Sequence, residues 1–318
     1  MSNETPIRLD GEVAIVTGAG SGLGRSYALA LAARGASVVC NDIVADAAEA
    51  TAKQIAEQGG SAVPETSSVA TPEGGAAVVQ TAVDAFGSVE VVVNNAGQLR
   101  NAAFEDLSIE HIQQVLDTHL AGGFYVTQPA YRHMKAAGYG RIIFTSSSAG
   151  VFGGLEQANY GAAKAGLVGL CNVVALEGAS YGIRANAIMP MALGTALNEG
   201  GPPAYSPEGM QKMMEALRPL ARHMVVENVA PLVVYLASRR CAESGLVFSV
   251  GAGHIARVFI GATRGWCAPG LTDMTPEQVE ANLAVSCDLG EFSIPESLYD
   301  ECRYIAEHLP ESGGEASG

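Results

Sequence analysis

The chain has 318 residues, so one large α/β domain with an extension and two small domains are both compatible with its length. Hydrophobic residues make up 48% and charged residues only 16%, which predicts a large core. The net charge of −15 argues against binding to nucleic acid or to an anionic membrane, because either needs a surplus of Lys and Arg. The chain has no signal-like start and no apolar run of the ~18 residues that span a bilayer. We therefore expect a soluble, cytoplasmic protein.

From residue 12 onwards, short runs rich in Val and Ile alternate with longer Ala- and Leu-rich segments of helical period. This alternation is typical of βαβ units and a parallel sheet. The predicted strands are 13–16, 36–41, 61–64, 89–93, 141–145, 184–188 and 246–250, and the predicted helices between them are 23–34, 45–58, 72–86, 108–136, 158–181 and 227–237. Seven strands with helices between them predict a doubly wound, three-layer αβα domain of the Rossmann type over residues 1–253.

Two segments depart from this alternation. Residues 191–224, the lid segment, are rich in Gly, Pro and Met and follow a strand, where an α/β protein places a substrate lid. Its Met and Leu side chains predict either the wall of an apolar pocket or anchors of a lid helix. Residues 254–318 are predicted to form a mostly helical C-terminal extension that packs on the core or on a neighbouring subunit. The Thr275-Pro276-Glu277-Gln278 start predicts one of its helices, a second is predicted at 295–308, and we expect 311–318 to be disordered.

A glycine-rich turn follows the first predicted strand and opens the first helix, as Thr17-Gly18-Ala19-Gly20-Ser21-Gly22-Leu23-Gly24. Glycines permit the sharp turn and let the backbone approach a pyrophosphate, which the helix N-terminus then binds. The predicted cofactor contacts in this turn are Gly18, Ser21, Gly22, Leu23 and Gly24. A second group, Asn94, Ala96 and Gly97, ends the fourth strand with small and amide side chains, on which a cofactor can lie.

Asp42 lies at the end of the second predicted strand, 18 positions after Gly24. A carboxylate there can accept both hydroxyls of an adenosine ribose and would repel a 2′-phosphate. Because residues 17–24 and 36–46 contain no Arg or Lys, NAD is predicted rather than NADP. A helix-capping role for Asp42 is the alternative.

Tyr160 and Lys164 are four residues apart in a predicted helix, so they share one face. Ser147 lies in a serine cluster at the end of a strand, 13 residues before Tyr160. An unperturbed tyrosine has a pKa of roughly 10, and a nearby ammonium favours its phenolate. The phenolate can accept the proton of an alcohol while hydride leaves for a nicotinamide, with Ser147 holding the substrate oxygen.

The sequences TGAGSGLG, NNAG, the serine cluster and YGAAK together resemble the motif set of the short-chain dehydrogenases/reductases, over about residues 8–253. The resemblance implies that Ser147, Tyr160 and Lys164 are catalytic and that Leu193 and Thr195 contact the nicotinamide part of the cofactor. It also implies pairing through the fourth and fifth core helices into a homodimer or homotetramer, with the extension helping to close an active site.

Three positions depart from the family pattern. His119 stands where the family has a catalytic Asn, and an imidazole there could serve a proton relay or be only structural. Ser67 and Ser68 replace the usual Asp after the third strand, which leaves the adenine contact to backbone or hydroxyl groups. Met191 replaces the glycine of the usual Pro-Gly pair, so the backbone of that loop is expected to differ.

Two substrate classes fit a bulky, apolar secondary alcohol or its ketone. A hydroxysteroid needs an apolar slot with polar ends, whereas a 3-hydroxyacyl-CoA needs cations for its phosphates. The cation candidates are Arg100, Arg218, Arg222 and His223. These are few, so the sequence favours the hydroxysteroid, with the (3R)-3-hydroxyacyl-CoA as the alternative and a non-catalytic NAD-binding regulator as a remote one. No Cys/His spacing of a metal site is present, and no metal is expected.

Overall fold

The computed structural model describes residues 5–192, 206–268, 271 and 274–309. The chain divides into two compact units, Met1–Arg257 and Val258–Gly318. The predicted nicotinamide contacts Leu193 and Thr195 and the predicted disordered end, 311–318, lie outside the described residues. How the extension packs stays a prediction.

The first unit is built on an eight-stranded sheet in the order β3-β2-β1-β4-β5-β6-β7-β8. The strands are β1 Val13–Thr17, β2 Ser37–Asn41, β3 Ser61–Glu65, β4 Val91–Asn94, β5 Gly140–Thr145, β6 Ile183–Met191, β7 Val247–Gly251 and β8 His254–Val258. Strands β1 to β7 pair in parallel. Residues of β1, β4 and β5 are buried throughout, which explains their near-continuous apolar sequences.

Helices separate these strands. They are α1 Gly22–Ala33, α2 Ala45–Glu57, α3 Pro72–Phe86, α4 Ile109–Leu116, α5 Gly122–Ala137, α6 Ser148–Phe152, α7 Ala158–Gly178, α8 Pro207–Leu217 and α9 Ala230–Ala237. The chain order changes direction between β1 and β4, which are neighbours in the sheet although β2 and β3 intervene in sequence. A switch point of this kind opens a crevice beyond the carboxyl ends of the strands, where such folds bind ligands. The doubly wound, three-layer fold predicted from the sequence is confirmed.

The structure adds detail that the sequence did not predict. An eighth strand, β8, lies in what was assigned to the extension. Only Ala252 and Gly253 link it to β7, and so short a link permits only antiparallel pairing. The predicted helix 108–136 is interrupted by a π-helical turn at Asp117–Ala121, and the lid segment contains α8.

Helix α7 with the turn that follows it, Ala158–Tyr181, has the length and apolar composition of a membrane-spanning helix. Half of its apolar window is buried inside the fold, however, as in the core helix of a globular domain. Its buried side carries Tyr160 and Lys164, so the apolar composition of α7 is explained by packing against the sheet.

The second unit contains α10 Pro276–Ser286, α11 Leu298–Glu307 and a two-stranded antiparallel pair, β9 Ala262–Thr263 with β10 Phe292–Ser293. The predicted start of α10 is confirmed in detail. Thr275 Oγ accepts a hydrogen bond from the backbone N–H of Gln278, whose side chain accepts one from Thr275 N–H. The rings of Phe259 and Phe292 stack 6.5 Å apart.

Candidate active site

The turn after β1 brings the backbone unusually close to its neighbours. Gly18 and Gly22 have positive φ angles of 66° and 51°, which favour glycine. A Cβ on Gly18 would lie 2.9 Å from Cα of Ala96, and one on Gly24 would lie 2.0 Å from the carbonyl oxygen of Gly18. The turn is therefore packed against the end of β4, and no larger residue fits at these positions.

The N-terminus of α1 is exposed to solvent at Ser21, the N-cap residue, whose side chain makes no capping hydrogen bond. Its hydroxyl and the first N–H groups of α1 are the donors that this turn offers to a phosphate. Leu23 instead packs against the main apolar core.

Thr17 joins the glycine-rich turn to the residues that follow β4, a role that was not predicted from the sequence. Its buried hydroxyl oxygen accepts hydrogen bonds from the backbone N–H groups of Asn95 (2.9 Å) and Ala96 (3.0 Å). The Asn95 amide in turn donates to the carbonyl of Thr17 at 3.0 Å. The amide of Asn94 donates to Thr127 Oγ1 on α5 at 2.9 Å, so it fixes β4 to that helix.

Asp42 lies beside the glycine-rich turn, as a ribose-binding residue must. Its Oδ2 accepts from the N–H of Gly20 at 2.9 Å, and its Oδ1 accepts from the N–H of Val44 at 3.0 Å. A carboxylate has about four acceptor sites, so two remain for ribose hydroxyls. The bond to Val44, the N-cap residue of α2, shows that Asp42 also caps in part. Gly20 was not predicted as a cofactor-site residue. A Cβ there would lie 2.7 Å from Asp42 Oδ2, so the close approach of Asp42 to the turn requires this glycine.

The region after β3 is organised by Glu65, which is buried and was not singled out from the sequence. Its Oε2 accepts from the Asn41 amide at 2.6 Å, and its Oε1 accepts from Ser67 N–H at 2.9 Å. The carbonyl of Ser67 accepts from the Asn41 amide as well. Ser68 is exposed, and its hydroxyl accepts from Ala70 N–H at 3.3 Å. Both serines thus lie on the turn that follows β3.

Tyr160 and Lys164 lie on the buried face of α7, with 8% and 3% of their surface exposed. The Lys164 ammonium lies 5.5 Å from the centre of the Tyr160 ring and donates to the carbonyl of Thr145 at 2.5 Å. Burial lowers the pKa of Lys164 to about 7, because the charged form loses its hydration. The cation is therefore held directly beside the phenol by one carbonyl at the end of β5.

Ser147 is the N-cap residue of α6, and its hydroxyl accepts from Ala149 N–H at 3.2 Å. Helix α6 packs closely on α7. A Cβ on Gly150 would lie 2.7 Å from the backbone nitrogen of Ala165 and 2.9 Å from Cβ of Lys164. The serine and the Tyr160–Lys164 pair thus come from elements in direct contact, at the carboxyl end of β5.

His119 is buried within the π-helical turn and touches Tyr160 edge-on, with 5.3 Å between the ring centres. Its Nε2 lies 3.0 Å from the backbone nitrogen and 2.8 Å from the carbonyl oxygen of Gln98. A Cβ on Gly97 would lie 2.1 Å from the imidazole, so this ring requires the glycine. Burial, and secondarily the charge of Lys164, lower the pKa of His119 well below its ordinary value. The ring is therefore neutral at physiological pH.

The second imidazole nitrogen, Nδ1, is buried and has no hydrogen-bond partner among the described residues. The ring lines a small cavity of about 10 Å³ together with Thr17, Asn94 and Thr118, which is close to the volume that one water molecule needs. The contacts of His119 to Gln98 and Tyr160 position two parts of the site, and whether it also relays a proton stays a prediction.

Asn159, next to Tyr160, is a further residue that the sequence reading missed. Its buried amide donates to the carbonyls of Arg100 (2.9 Å) and His111 (3.2 Å), and its oxygen accepts from Tyr160 N–H at 2.7 Å. It thereby fixes the loop after β4 and the start of α4 to the start of α7. A buried Asn immediately before a tyrosine is a signal too common to be recognised alone.

The predicted substrate-binding residues lie largely at the surface. Arg100, Arg218, Arg222 and His223 are exposed, and Arg100 Nε donates to the Gln114 side chain at 3.2 Å. Met224 is buried, but Met214 on α8 is 56% exposed. Met214 therefore does not anchor α8 to the core. Among the described residues, no group of three or more His, Cys, Asp or Glu could hold a metal ion.

Residues 12–204 match the family model for short chain dehydrogenases, and the chain belongs to that family. It is therefore an oxidoreductase of the kind that acts on CH–OH groups.

Three similarities refine this assignment. The chain is 42% identical over 315 residues to peroxisomal multifunctional enzyme type 2 of Mus musculus. This alignment covers 96% of this chain and 40% of the mouse protein. The crystal structure of a short chain dehydrogenase from Mycobacterium avium is 37% identical, with a TM-score of 0.74, and covers 90% of this chain and 97% of the other. A 7α-hydroxysteroid dehydrogenase complexed with NADH and 7-oxo glycochenodeoxycholic acid is 31% identical, with a TM-score of 0.70, over 77% of this chain and 95% of the other.

Members of this family typically bind NAD(P), and the residues present fit such a dinucleotide. The glycines at 18, 20 and 24 let the turn pack closely on itself, on the end of β4 and on Asp42. The N-terminus of α1 offers its N–H groups to a pyrophosphate. Asp42 stands beside this turn with unused acceptor sites for ribose hydroxyls.

Proposed function

We propose that this chain is an NAD-dependent (3R)-3-hydroxyacyl-CoA dehydrogenase. The observation that carries the proposal is the 42% identity to the mouse multifunctional enzyme over 96% of this chain, because that alignment extends through the C-terminal unit. The sequence resembles the dehydrogenase part of that enzyme, which implies a (3R)-hydroxyacyl-CoA substrate. The comparisons favour this substrate over the hydroxysteroid that the scarcity of basic residues had favoured.

The reaction would be the oxidation of the substrate's secondary alcohol to a ketone. The bound nicotinamide would supply the hydride acceptor. The hydroxyl of Ser147 would donate a hydrogen bond to the substrate oxygen, and the phenolate of Tyr160 would accept the alcohol proton as the C=O bond forms. In its protonated form, Lys164 would stabilise the phenolate through its charge, which lies 5.5 Å from the centre of the ring. Burial of the pair at the sheet edge strengthens this interaction, since less water screens it.

NAD is proposed rather than NADP because of Asp42. Its carboxylate is fixed by two backbone N–H groups beside the glycine-rich turn, where a 2′-phosphate would meet a like charge. The nearest arginine in sequence, Arg25, donates from Nη2 to the Gln54 side-chain oxygen at 2.6 Å. NAD is thus favoured both by the charge of Asp42 and by this engagement of Arg25.

A hydroxysteroid is the second candidate substrate. It is supported by the similarity to the 7α-hydroxysteroid dehydrogenase structure. The cations available for CoA phosphates are also few, and Arg222 donates to His223 rather than facing an acid.

The discriminating experiment measures NADH formation by the purified protein with NAD and each substrate in parallel. One cuvette contains a (3R)-3-hydroxyacyl-CoA, a second its (3S) epimer, and a third 17β-estradiol. We expect turnover of the (3R) thioester alone. Turnover of the steroid alone would contradict the proposal and assign a hydroxysteroid as the substrate. Equal rates on the (3R) and (3S) epimers would contradict the proposed stereospecificity. The variants Arg218→Ala and Arg222→Ala should raise KM for the thioester only if these cations bind its phosphates.

We further propose that two copies pair through the outer surface of α5 and α7. Large apolar side chains are half exposed there, at Phe124, Val173 and Leu176, and exposed apolar groups that lie together favour an interface between proteins. Sedimentation of the full chain should give a dimer or a tetramer. The cytoplasmic location stays a prediction.

A further inference from the structure

Glu156 joins three segments around the active site, four residues before Tyr160. Its carboxylate oxygen Oε2 accepts a hydrogen bond from the backbone N–H of Ser206, the N-cap residue of α8, at 2.7 Å. Its backbone carbonyl accepts from the N–H of Ala102, in the loop after β4, at 3.1 Å. One residue therefore connects the loop before the catalytic helix with the first turn of α8 and with the loop after β4.

The carboxylate also packs on the first turn of α8. A Cβ on Gly209 would lie 3.2 Å from Oε2 and 3.4 Å from Oε1 of Glu156, so the glycine lets the carboxylate lie flat against the helix. Gly209 itself is buried, although its neighbours Ser206, Pro207 and Glu208 are exposed. A negative charge at this end of a helix is stabilised by the unpaired N–H groups and the helix dipole.

The backbone of Glu156 supports a specific role for this residue. Its φ angle is +62°, a conformation that costs free energy for every residue except glycine. Asn and Asp tolerate this region better than Glu does. A glutamate side chain is long enough to reach Ser206 from the loop, which offsets that cost by a charge-assisted hydrogen bond.

The position of α8 connects this contact with substrate binding. It follows β6 in the chain, and the carboxyl end of β6 adjoins that of β5, which leads into Ser147. In this fold, ligands bind beyond these strand ends. The first turn of α8 is thus held at the side of the crevice that contains Tyr160.

We propose that Glu156 is a positioning residue that latches α8 at the side of the crevice, so that α8 is already ordered when the substrate binds. This role rests on the proposed function only in assigning α8 to the substrate side of the crevice. The latch itself is a property of the unliganded chain. Substrate affinity then depends on a carboxylate that does not touch the reacting atoms.

The first test is amide hydrogen exchange of the full chain without substrate, followed by mass spectrometry. In Glu156→Ala, exchange of peptides covering 206–217 should rise about fivefold or more, the factor for losing a contact of this type. Exchange of α7 peptides should be unchanged. Glu156→Gln keeps an acceptor oxygen for Ser206 and should give an intermediate increase.

Two further variants separate the latch from other effects. Glu156→Gly removes the carboxylate but relieves the positive φ angle, so it should loosen α8 as much as Glu156→Ala does. Glu208→Gln removes another negative charge from the first turn of α8, one paired with Lys212. Because an exposed pair of this kind contributes only about 0.3–0.5 kcal/mol, exchange should rise by about twofold at most. An increase in Glu156→Ala but not in Glu156→Gly would assign the effect to backbone strain and overturn the latch.

The second test uses steady-state kinetics with whichever substrate the protein turns over. Glu156→Ala should raise KM about fivefold without lowering kcat, since the chemical step does not involve the latch. A lower kcat at unchanged KM would mean that Glu156 acts through Tyr160, and would overturn the proposal. Because hydrogen exchange needs no substrate, a wrong assignment of substrate class leaves the first test valid, and the two failures are distinguishable.

Discussion

The two halves of the active site are built differently. The cofactor half consists mainly of backbone, with glycines whose missing side chains let the turn at 18–24 meet the end of β4. The catalytic half consists of buried side chains, of which Lys164 and His119 are almost completely removed from water. The backbone geometry alone fits the first half for binding, whereas in the second half burial shifts the pKa values of the titratable groups. Substitutions should therefore affect binding in one half and chemistry or pH dependence in the other.

The largest effect is expected for Tyr160→Phe, which removes the proton acceptor and leaves the ring in place. Turnover should fall by about 10²–10⁴-fold, the usual contribution of a positioned acid or base, while NAD affinity stays within a factor of about two. Steady-state rates and cofactor fluorescence titrations measure the two quantities. Tyr299→Phe, which changes an exposed tyrosine of α11, is the control. Undiminished turnover in Tyr160→Phe would contradict the catalytic role of Tyr160 and reopen the alternative that the chain is a non-catalytic NAD-binding regulator.

Lys164 should make stability depend on pH on the alkaline side. Its folded pKa is lowered to about 7 from an ordinary value near 10.5, so above pH 7 the unfolded chain binds more protons than the folded one. The free energy of unfolding should then rise by about 2 kcal/mol between about pH 7 and 9 as this destabilising charge is lost. Urea unfolding of the cofactor-free protein measures it.

Lys164→Met should remove this rise, because a buried apolar side chain has no charge to lose. The exposed Lys53→Met, on α2, is the matched control and should keep the slope of the wild type. Equal slopes for wild type and Lys164→Met would mean that the ammonium is well solvated in the folded chain.

His119 should make the stability of the fold depend on pH on the acid side. Since its folded pKa is well below the ordinary value of 6.5, the unfolded chain alone takes up a proton as the pH falls through 6.5. Stability should therefore be lost as the pH falls below that value. His119→Asn should unfold with a smaller acid slope, and His133→Asn, at an exposed position of α5, with the wild-type slope. If His119 only positions Tyr160 and Gln98, the pH profile of kcat should keep its shape in His119→Asn.

Features that depend on local backbone geometry could be predicted from the sequence, whereas contacts between distant residues could not. The glycine-rich turn, Asp42 and the Tyr160–Lys164 pair occur at short, fixed spacings because local backbone geometry requires them, so a single sequence is enough to recognise them. Seven strands were also predicted from local sequence, because short apolar runs alternate with segments of helical period. The eighth, β8, was not, because it is a short edge strand with exposed residues and little apolar pattern.

Contacts between residues distant in sequence were not predictable. Glu65 holding Asn41, Asn159 holding the carbonyl of Arg100, and Glu156 reaching Ser206 join segments separated by 24, 59 and 50 positions. Each is an ordinary polar residue whose role appears only when the fold brings its partner near. The neutral state of His119 likewise follows from burial in three dimensions and has no signature in the chain.

The smallest effect is expected for Asp42→Asn, which tests the cofactor half. The substitution removes the charge and turns one of the two oxygens that accept from Gly20 and Val44 into a donor. NADP should then gain on NAD by about tenfold in relative affinity, or about 1.4 kcal/mol. Titrations with NADH and NADPH measure the ratio, and Asp46→Asn, in the first turn of α2, is the control. The effect should be on affinity alone, with kcat at saturating cofactor unchanged, because no buried titratable group is altered. A fall in kcat equal to that of a catalytic variant would mean that the two halves are coupled and would end the distinction between them.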